Sequence, residues 1–243
     1  MPKTSTPRTR KKTPKPSSFG EVAYVQLKQA IQDGVFKPGE PIRENRVAEW
    51  LKISRTPVRD AIRRLQSEGL LSYRLHDGVV VSTLDRQDVI NLYAVREALE
   101  GAAAGMAARH ASEVEIEALR AILRASADTK DPVQIAEQNF RFHALIHQAA
   151  RNPYLVRTIN TFRESLALLG PPTTVVPGRP KAVDKAHAEI LAAIERQDAK
   201  AAEDAMRAHI RSALLSRFEL LEHPASALSQ QVKYPMAGKL KSG

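Results

Sequence analysis

Two groups of residues in this chain have types and spacings that could do chemistry. The first is Arg55, Arg59 and Arg63, spaced four apart, which on a helix project three guanidiniums from one side. Guanidinium forks suit bidentate contact with guanine edges and with phosphate, so this face is suited to reading a nucleic-acid duplex. Arginines on an amphipathic helix can also form nothing more than a solvated face, so the flanking elements must decide. The second group is His143, His187 and His209, each on the apolar stripe of a different helical segment. His187 shares its stripe with Ile190, Leu191 and Ile194, His209 with Met206, Ile210 and Ala213, and His143 lies between Phe140 and Ile146. One inward histidine is ordinarily a satisfied core residue. Three neutral imidazoles entering one interior need partners, and a divalent cation supplies a shared one. Asn139, one turn before His143, can offer an oxygen on the same face.

The elements around the arginines complete a module. Ser54 can cap their helix, Pro57 sits in its first turn, and Val58, Ile62 and Leu65 form its inner stripe. A second helix is predicted from about Glu44 to Leu51, separated from the first by the turn at Lys52–Ser54, a helix-turn-helix spacing. A short amphipathic helix from Val25 to Ile31 precedes them and ends at Gly34. Downstream, the β-prone runs at Leu71–Arg74 and Val79–Val81 flank Leu75-His-Asp-Gly78, a hairpin pattern. A helix-turn-helix followed by a hairpin is a winged helix. Its tip, with Arg74, His76 and Gly78, would lie near the DNA backbone or minor groove.

From Thr83 onward the strand pattern gives way to capping residues and a long helical period through Leu92, Val95, Leu99, Ala103 and Met106. Further helices are predicted at about 113–126, 132–150, 153–169, 183–196 and 199–221, punctuated by prolines, with Gly170 to Pro180 as the long connection. The fold class is therefore mainly α: an N-terminal winged helix-turn-helix plus a C-terminal all-α helical bundle. The domain reading is a disordered basic arm over 1–18, a DNA-binding domain over 19–83, a ligand-binding and dimerisation bundle over 84–222, and a flexible tail over 223–243. The arm holds six Lys or Arg and no acidic residue, within a net charge of +10. It either adds salt-dependent affinity for DNA or is an inert leader. The lack of cysteine excludes disulfides and thiolate metal sites and suits a reducing cytosol. With no spanning apolar run and no apolar signal core, the expected location is the cytoplasm, away from membranes.

The segment Ser54-Arg-Thr-Pro-Val-Arg-Asp-Ala-Ile-Arg-Arg-Leu65, followed by Glu68-Gly-Leu-Leu71 and a glycine-containing wing, resembles the GntR superfamily of bacterial transcription regulators. The resemblance spans about residues 20 to 83. It implies that Arg55 and Arg59 contact bases or phosphates, that Thr56 touches the backbone, and that the Gly78 tip enters the minor groove. Ser54 and Arg63 complete the expected DNA-binding set with Arg74. Asn45 falls where some relatives carry a DNA-contacting arginine, so half-site preference does not carry over.

Residues 86 to 222 resemble the FCD effector domain of the FadR branch, through Asn139-Phe-Arg-Phe-His143, His187, His209, Val95-Arg-Glu-Ala-Leu-Glu100 and Asn152-Pro-Tyr-Leu155. The family's aspartate is Asn139 here, which removes one compensating charge, so either metal affinity falls or the site shifts toward imidazole-favouring ions such as Zn²⁺ or Ni²⁺. The implied ligand set is Asn139, His143, His187 and His209; His147 is not a family ligand position and reads as core or groove lining. In such domains a metal and nearby cations bind a small organic acid, which changes the angle between the two DNA-binding domains of a dimer. Arg96 and Arg163 are the candidates for pairing with this effector, though either could be an ordinary salt-bridging arginine.

The expected function is a ligand-responsive regulator, a repressor in its simplest form, that binds a pseudo-palindromic double-stranded operator as a homodimer. Two alternatives stand beside it. The bundle could be a metal-free structural dimeriser, or three histidines around a metal could make a DNA-tethered hydrolase. The latter lacks a His-Glu-x-x-His arrangement and any nucleophile constellation.

Overall fold

The computed structural model describes residues 19–222; the basic arm and the C-terminal tail lie outside the described residues. The chain folds in the order α1 (Phe19–Gln32), α2 (Glu44–Leu51), α3 (Arg55–Ser67), β1 (Leu71–Arg74), β2 (Gly78–Val81), α4 (Arg86–His110), α5 (Glu113–Ala127), α6 (Pro132–Ala149), α7 (Pro153–Ala167), a 3₁₀ turn (Thr173–Val175), α8 (Arg179–Glu195) and α9 (Ala199–Glu222).

In the winged helix, Lys52 takes the left-handed conformation (φ 55°) that ends α2, and its N–H bonds back to Ala48 and Glu49. Ser54 has the extended backbone of an N-cap, but its hydroxyl makes no capping bond. The hairpin pairs Leu71 with Val81 and Arg74 with Gly78, and the Gly39–Ile42 segment adds to β2 through Gly39 N–H to Val81 O and Ile42 N–H to Val79 O, both 2.8 Å. Leu27, Val58, Leu65, Leu70 and Val81 sit in a fully buried core beneath it.

The bundle starts at a reciprocal cap: Asp85 accepts from the Asp88 N–H at 2.7 Å, and Asp88 accepts from the Asp85 N–H at 3.0 Å. α4 and α9 lie close together, since a Cβ on Gly101 would come within 2.8 Å of Arg207 Cγ and one on Gly105 within 3.1 Å of the Ala199 carbonyl. Consequently α4 does not bury the expected Leu92–Val95–Leu99 stripe. Val89, Tyr93, Glu100, Ala103, Ala104 and Ala107 are buried instead; Leu92, Leu99 and Met106 flank them, and Val95 is exposed. Small residues let two long helices approach, and that approach decides the face.

Two boundaries also differ from expectation. α1 begins at Phe19 rather than Val25, and α8 begins at Arg179 rather than near 183, because Pro180 occupies its first turn, where a missing N–H is harmless. Within the bundle, His143 keeps its inward position, but its buried neighbours are Phe142 and Ile146, and Phe140 is partly exposed.

The two cores meet at the end of α7. Leu168 is buried in the winged-helix core, whereas the next residue, Leu169, is buried in the bundle core. The Leu169 carbonyl accepts a hydrogen bond from Arg217 Nη1 at 2.9 Å. Among the described residues, no helix is long and apolar enough to cross a membrane.

Candidate DNA-reading helix and effector cavity

α3 carries a core face and a charged face. Val58, Ala61, Ile62 and Leu65 are buried, while Arg55, Thr56, Arg59 and Arg63 are exposed together with Ser54 at the helix start. Arg59 is already engaged: its Nε and Nη2 donate to the two oxygens of Glu44, each at 2.9 Å. These bonds hold the Glu44 carboxyl below its usual range. A carboxylate in a guanidinium fork has the geometry of a phosphate or a guanine edge, so Glu44 keeps Arg59 extended from α3. Arg64, the next residue after Arg63, serves the fold instead, bonding Glu21 at 2.9 Å and stacking on Tyr24 at 3.4 Å. At the wing, Arg74 is exposed and pairs with Asp77 at 3.6 Å, and Gly78 has φ 79°. The loop between the strands is three residues long, Leu75 to Asp77, with His76 at φ 74° taking the left-handed position.

In the bundle, the three histidines come together. Their rings lie with centroids 5.2 Å apart for His143 and His209, 4.8 Å for His187 and His209, and 5.3 Å for His143 and His187. One nitrogen from each falls within 4.8 Å of the others. His143 Nε2 and His209 Nε2 are 3.3 Å apart, close to the spacing of about 3.4 Å between two nitrogens on a tetrahedral ion with bonds near 2.1 Å. His187 stacks on Phe142 (centroids 4.0 Å, 14° between planes), and its Nε2 is buried without a hydrogen-bond partner. Burial lowers the pKa of all three, leaving neutral imidazoles with lone pairs. An orphaned buried nitrogen among neutral imidazoles at ligand spacing fits a soft-to-borderline divalent ion.

Sequence reasoning quoted Glu100 only as a family position, and it proves central. Its Oε2 accepts from His143 Nδ1 at 2.9 Å and from His147 Nε2 at 2.8 Å, and its Oε1 lies 3.3 Å from Arg96 Nε. Burial alone would raise the Glu100 carboxyl, but the His143 and His147 contacts hold it well below the ordinary carboxylate range. An ionised carboxylate only accepts, so His143 carries its proton on Nδ1 and turns Nε2 toward His209. His147, expected as core or groove lining, is both buried and at the cavity wall, and it also belongs to the buried polar network. The signal was present in sequence: Glu100 follows Arg96 by four on the inward stripe of α4.

A cavity of about 210 Å³ opens beside this network. It is lined by Arg96, Asn139, His143, His209 and Arg163, so the expected effector arginines and three of the four expected metal-site positions meet here, while the fourth, His187, is buried against Phe142 and close to the other two rings. Arg163 lies over the Phe140 ring at 4.1 Å, and burial lowers its pKa. Arg179 and Arg217 also line the cavity and were not foreseen.

Residues 19–81 match the family "Bacterial regulatory proteins, gntR family", and residues 91–212 match the "FCD domain". The chain is 34% identical over 187 residues to a Paenarthrobacter nicotinovorans protein named "Probable D-xylose utilization operon transcriptional repressor", covering 74% of this chain and 80% of that one. It is 27% identical over 190 residues to the HTH-type transcriptional repressor RspR of Escherichia coli, covering 77% of this chain and 83% of RspR. The solved structure of E. coli McbR/YncC shares the fold with a TM-score of 0.67 at 20% identity, covering 85% of this chain and 100% of that one.

Proposed function

Because this chain belongs to the GntR family of DNA-binding transcriptional regulators, with an FCD domain, and is not an enzyme, we propose that its bundle senses a small organic acid beside a divalent metal ion and thereby sets operator binding. The observation that carries this reading is the placing of three neutral imidazoles within ligand reach of one another, two of them, His143 and His209, at the wall of a cavity that Arg96 and Arg163 also line. His143, His187 and His209 are the metal ligands in this reading, with Asn139 alongside as a neutral oxygen donor. Three neutral ligands leave a bound Zn²⁺ or Ni²⁺ its positive charge and an open position, the chemistry that attracts a carboxylate.

The protein's own groups then divide the work. Glu100 fixes the His143 tautomer and neutralises part of the buried charge. Arg96, tied to Glu100, lines the cavity, so a carboxylate entering it would meet a guanidinium already oriented. Arg163, stacked on Phe140, lines the same cavity. At the far end, Ser54, Arg55, Thr56, Arg59 and Arg63 of α3 enter the major groove, and the Arg74–Gly78 tip follows the adjacent backbone. GntR regulators often dimerise; a symmetric pair of this chain would read two half-sites of a pseudo-palindrome. Repression is the sign favoured by the two relatives named repressors.

The test is thermal denaturation of the metal-stripped full chain with Zn²⁺ or Ni²⁺, for wild type and His187→Ala. Saturation at 100 times Kd stabilises by about 2.7 kcal/mol, a Tm rise of roughly 5–10 °C for a domain of this size. The rise is expected in the wild type and absent in His187→Ala. A wild type whose Tm no metal moves makes the bundle a structural dimeriser.

A further inference from the structure

The cavity wall holds more positive charge than one carboxylate needs. Four arginines line it, Arg96, Arg163, Arg179 and Arg217, against Glu100 and the exposed Glu137. Glu100 is committed to His143, His147 and Arg96. Arg179 and Arg217 have no carboxylate partner among the described residues and are 6% and 5% exposed. Arg179 donates Nη1 to Ser212 Oγ at 2.5 Å, but its Nε and Nη2 are buried with no partner. Arg217 donates Nη1 to the Leu169 carbonyl, and its Nε is likewise unpartnered. Burial lowers the Arg179 pKa.

A buried guanidinium with unmade hydrogen bonds is destabilising, and two facing one cavity are retained against that cost. Arg179 is also the first residue of α8, so its guanidinium reaches the cavity from the start of that helix. Its Nε and Nη2 are the two edge donors that form a bidentate fork with a planar oxyanion.

From this we infer that the cavity contains a second anion subsite, built by Arg179 and Arg217, and that the effector is a small dianion. One anionic group faces the His143–His209 and Arg96 side, and the other takes the unmade bonds of Arg179 and Arg217. A volume of about 210 Å³ is below the roughly 300–1,000 Å³ of pockets for drug-sized ligands, so the dianion is a short-chain acid. This inference rests on the proposed sensing of a small acid and adds its charge and the residues that select it.

Isothermal titration of the full chain with Zn²⁺ present tests it, using succinate against butyrate and glutarate against valerate, pairs that differ by one carboxylate. 2-Phosphoglycolate against glycolate distinguishes a phosphate from a carboxylate as the second group. At least one dianion is expected to bind about tenfold or more tighter than its monoanion, as a charge-assisted pair implies. In Arg179→Met the ratio falls to near one, because the dianion loses its extra affinity. The metal-free, acid-free Tm of Arg179→Met reports folding, and Arg217→Lys, which keeps the charge and loses the fork, gives an intermediate ratio. Equal binding of dianions and monoanions to the wild type overturns the subsite and leaves the sensing role intact. A preference that survives Arg179→Met does the same. Failure of every acid to bind overturns both.

Discussion

The winged helix and the bundle handle charge in opposite ways. In the winged helix the functional groups are exposed and held by reversible pairs: Arg59 is gripped by Glu44, and Arg74 lies near Asp77. In the bundle they are buried, and Glu100 serves two histidines and an arginine while Arg179 and Arg217 keep donors unmade. The first region can exchange its partners for phosphates at little cost to folding, because exposed ion pairs contribute about 0–1 kcal/mol. The second cannot change partners without changing stability. A reader of DNA is separable from its fold; the proposed sensor, built in a core, is not.

The double substitution Arg55→Ala, Arg59→Ala sharpens the contrast most. Bidentate base contacts contribute about 1–3 kcal/mol each, so specific binding is expected to fall by about 30-fold or more, with Tm unchanged within a degree or two. Fluorescence anisotropy on a duplex selected by the wild type, at fixed salt, measures this. Retained specificity would remove the role given to α3.

On the other side, Glu100→Ala leaves His143 and His147 without their acceptor. The substitution also breaks the Arg96–Glu100 ion pair; loss of one partner of a buried pair typically destabilises by about 3–5 kcal/mol, which corresponds to a Tm loss on the order of 10 °C, read by circular dichroism. Loss of DNA binding without any fall in Tm would contradict the asymmetry.

The third expectation is smaller and concerns acid. His143, His187 and His209 have folded pKa values below their ordinary 6.5, so below that pH the unfolded chain takes up protons that the folded chain refuses. Stability present above about 6.5 is therefore lost as pH falls, by about 1.4 kcal/mol per pH unit for each histidine involved. The low Glu100 pKa acts in the same direction at lower pH. The Tm of metal-free protein should decline from pH 6.5 to 5; a flat profile would mean that the rings are not buried neutral.

What the sequence revealed divides along the same line. α2, α3 and the hairpin were legible because exposed arginines and turn residues mark their own positions, and α3 needs only one helix's periodicity. Convergence of His143, His187 and His209 was legible because each shared a stripe with aliphatic residues. Arg179 and Arg217 were hidden by the expectation that charge faces water. Yet Arg179 reaches His187 through Val183 in steps of four, and Arg217 follows His209 through Ala213 in the same steps. A cation in step with a buried histidine was the available sign. The inner face of α4 was misplaced because alanines and glycines carry little hydropathy contrast, while helix contact favours them.

Leu168 and Leu169 are neighbours in the chain and are sealed into different cores. Adjacent Cα atoms are about 3.8 Å apart, so there is no slack at this joint to absorb a tilt of one body against the other. Arg217, which lines the cavity, donates to the Leu169 oxygen, in the peptide that follows that joint. A shift of the Arg217 guanidinium would therefore bear on the short segment that both cores bury.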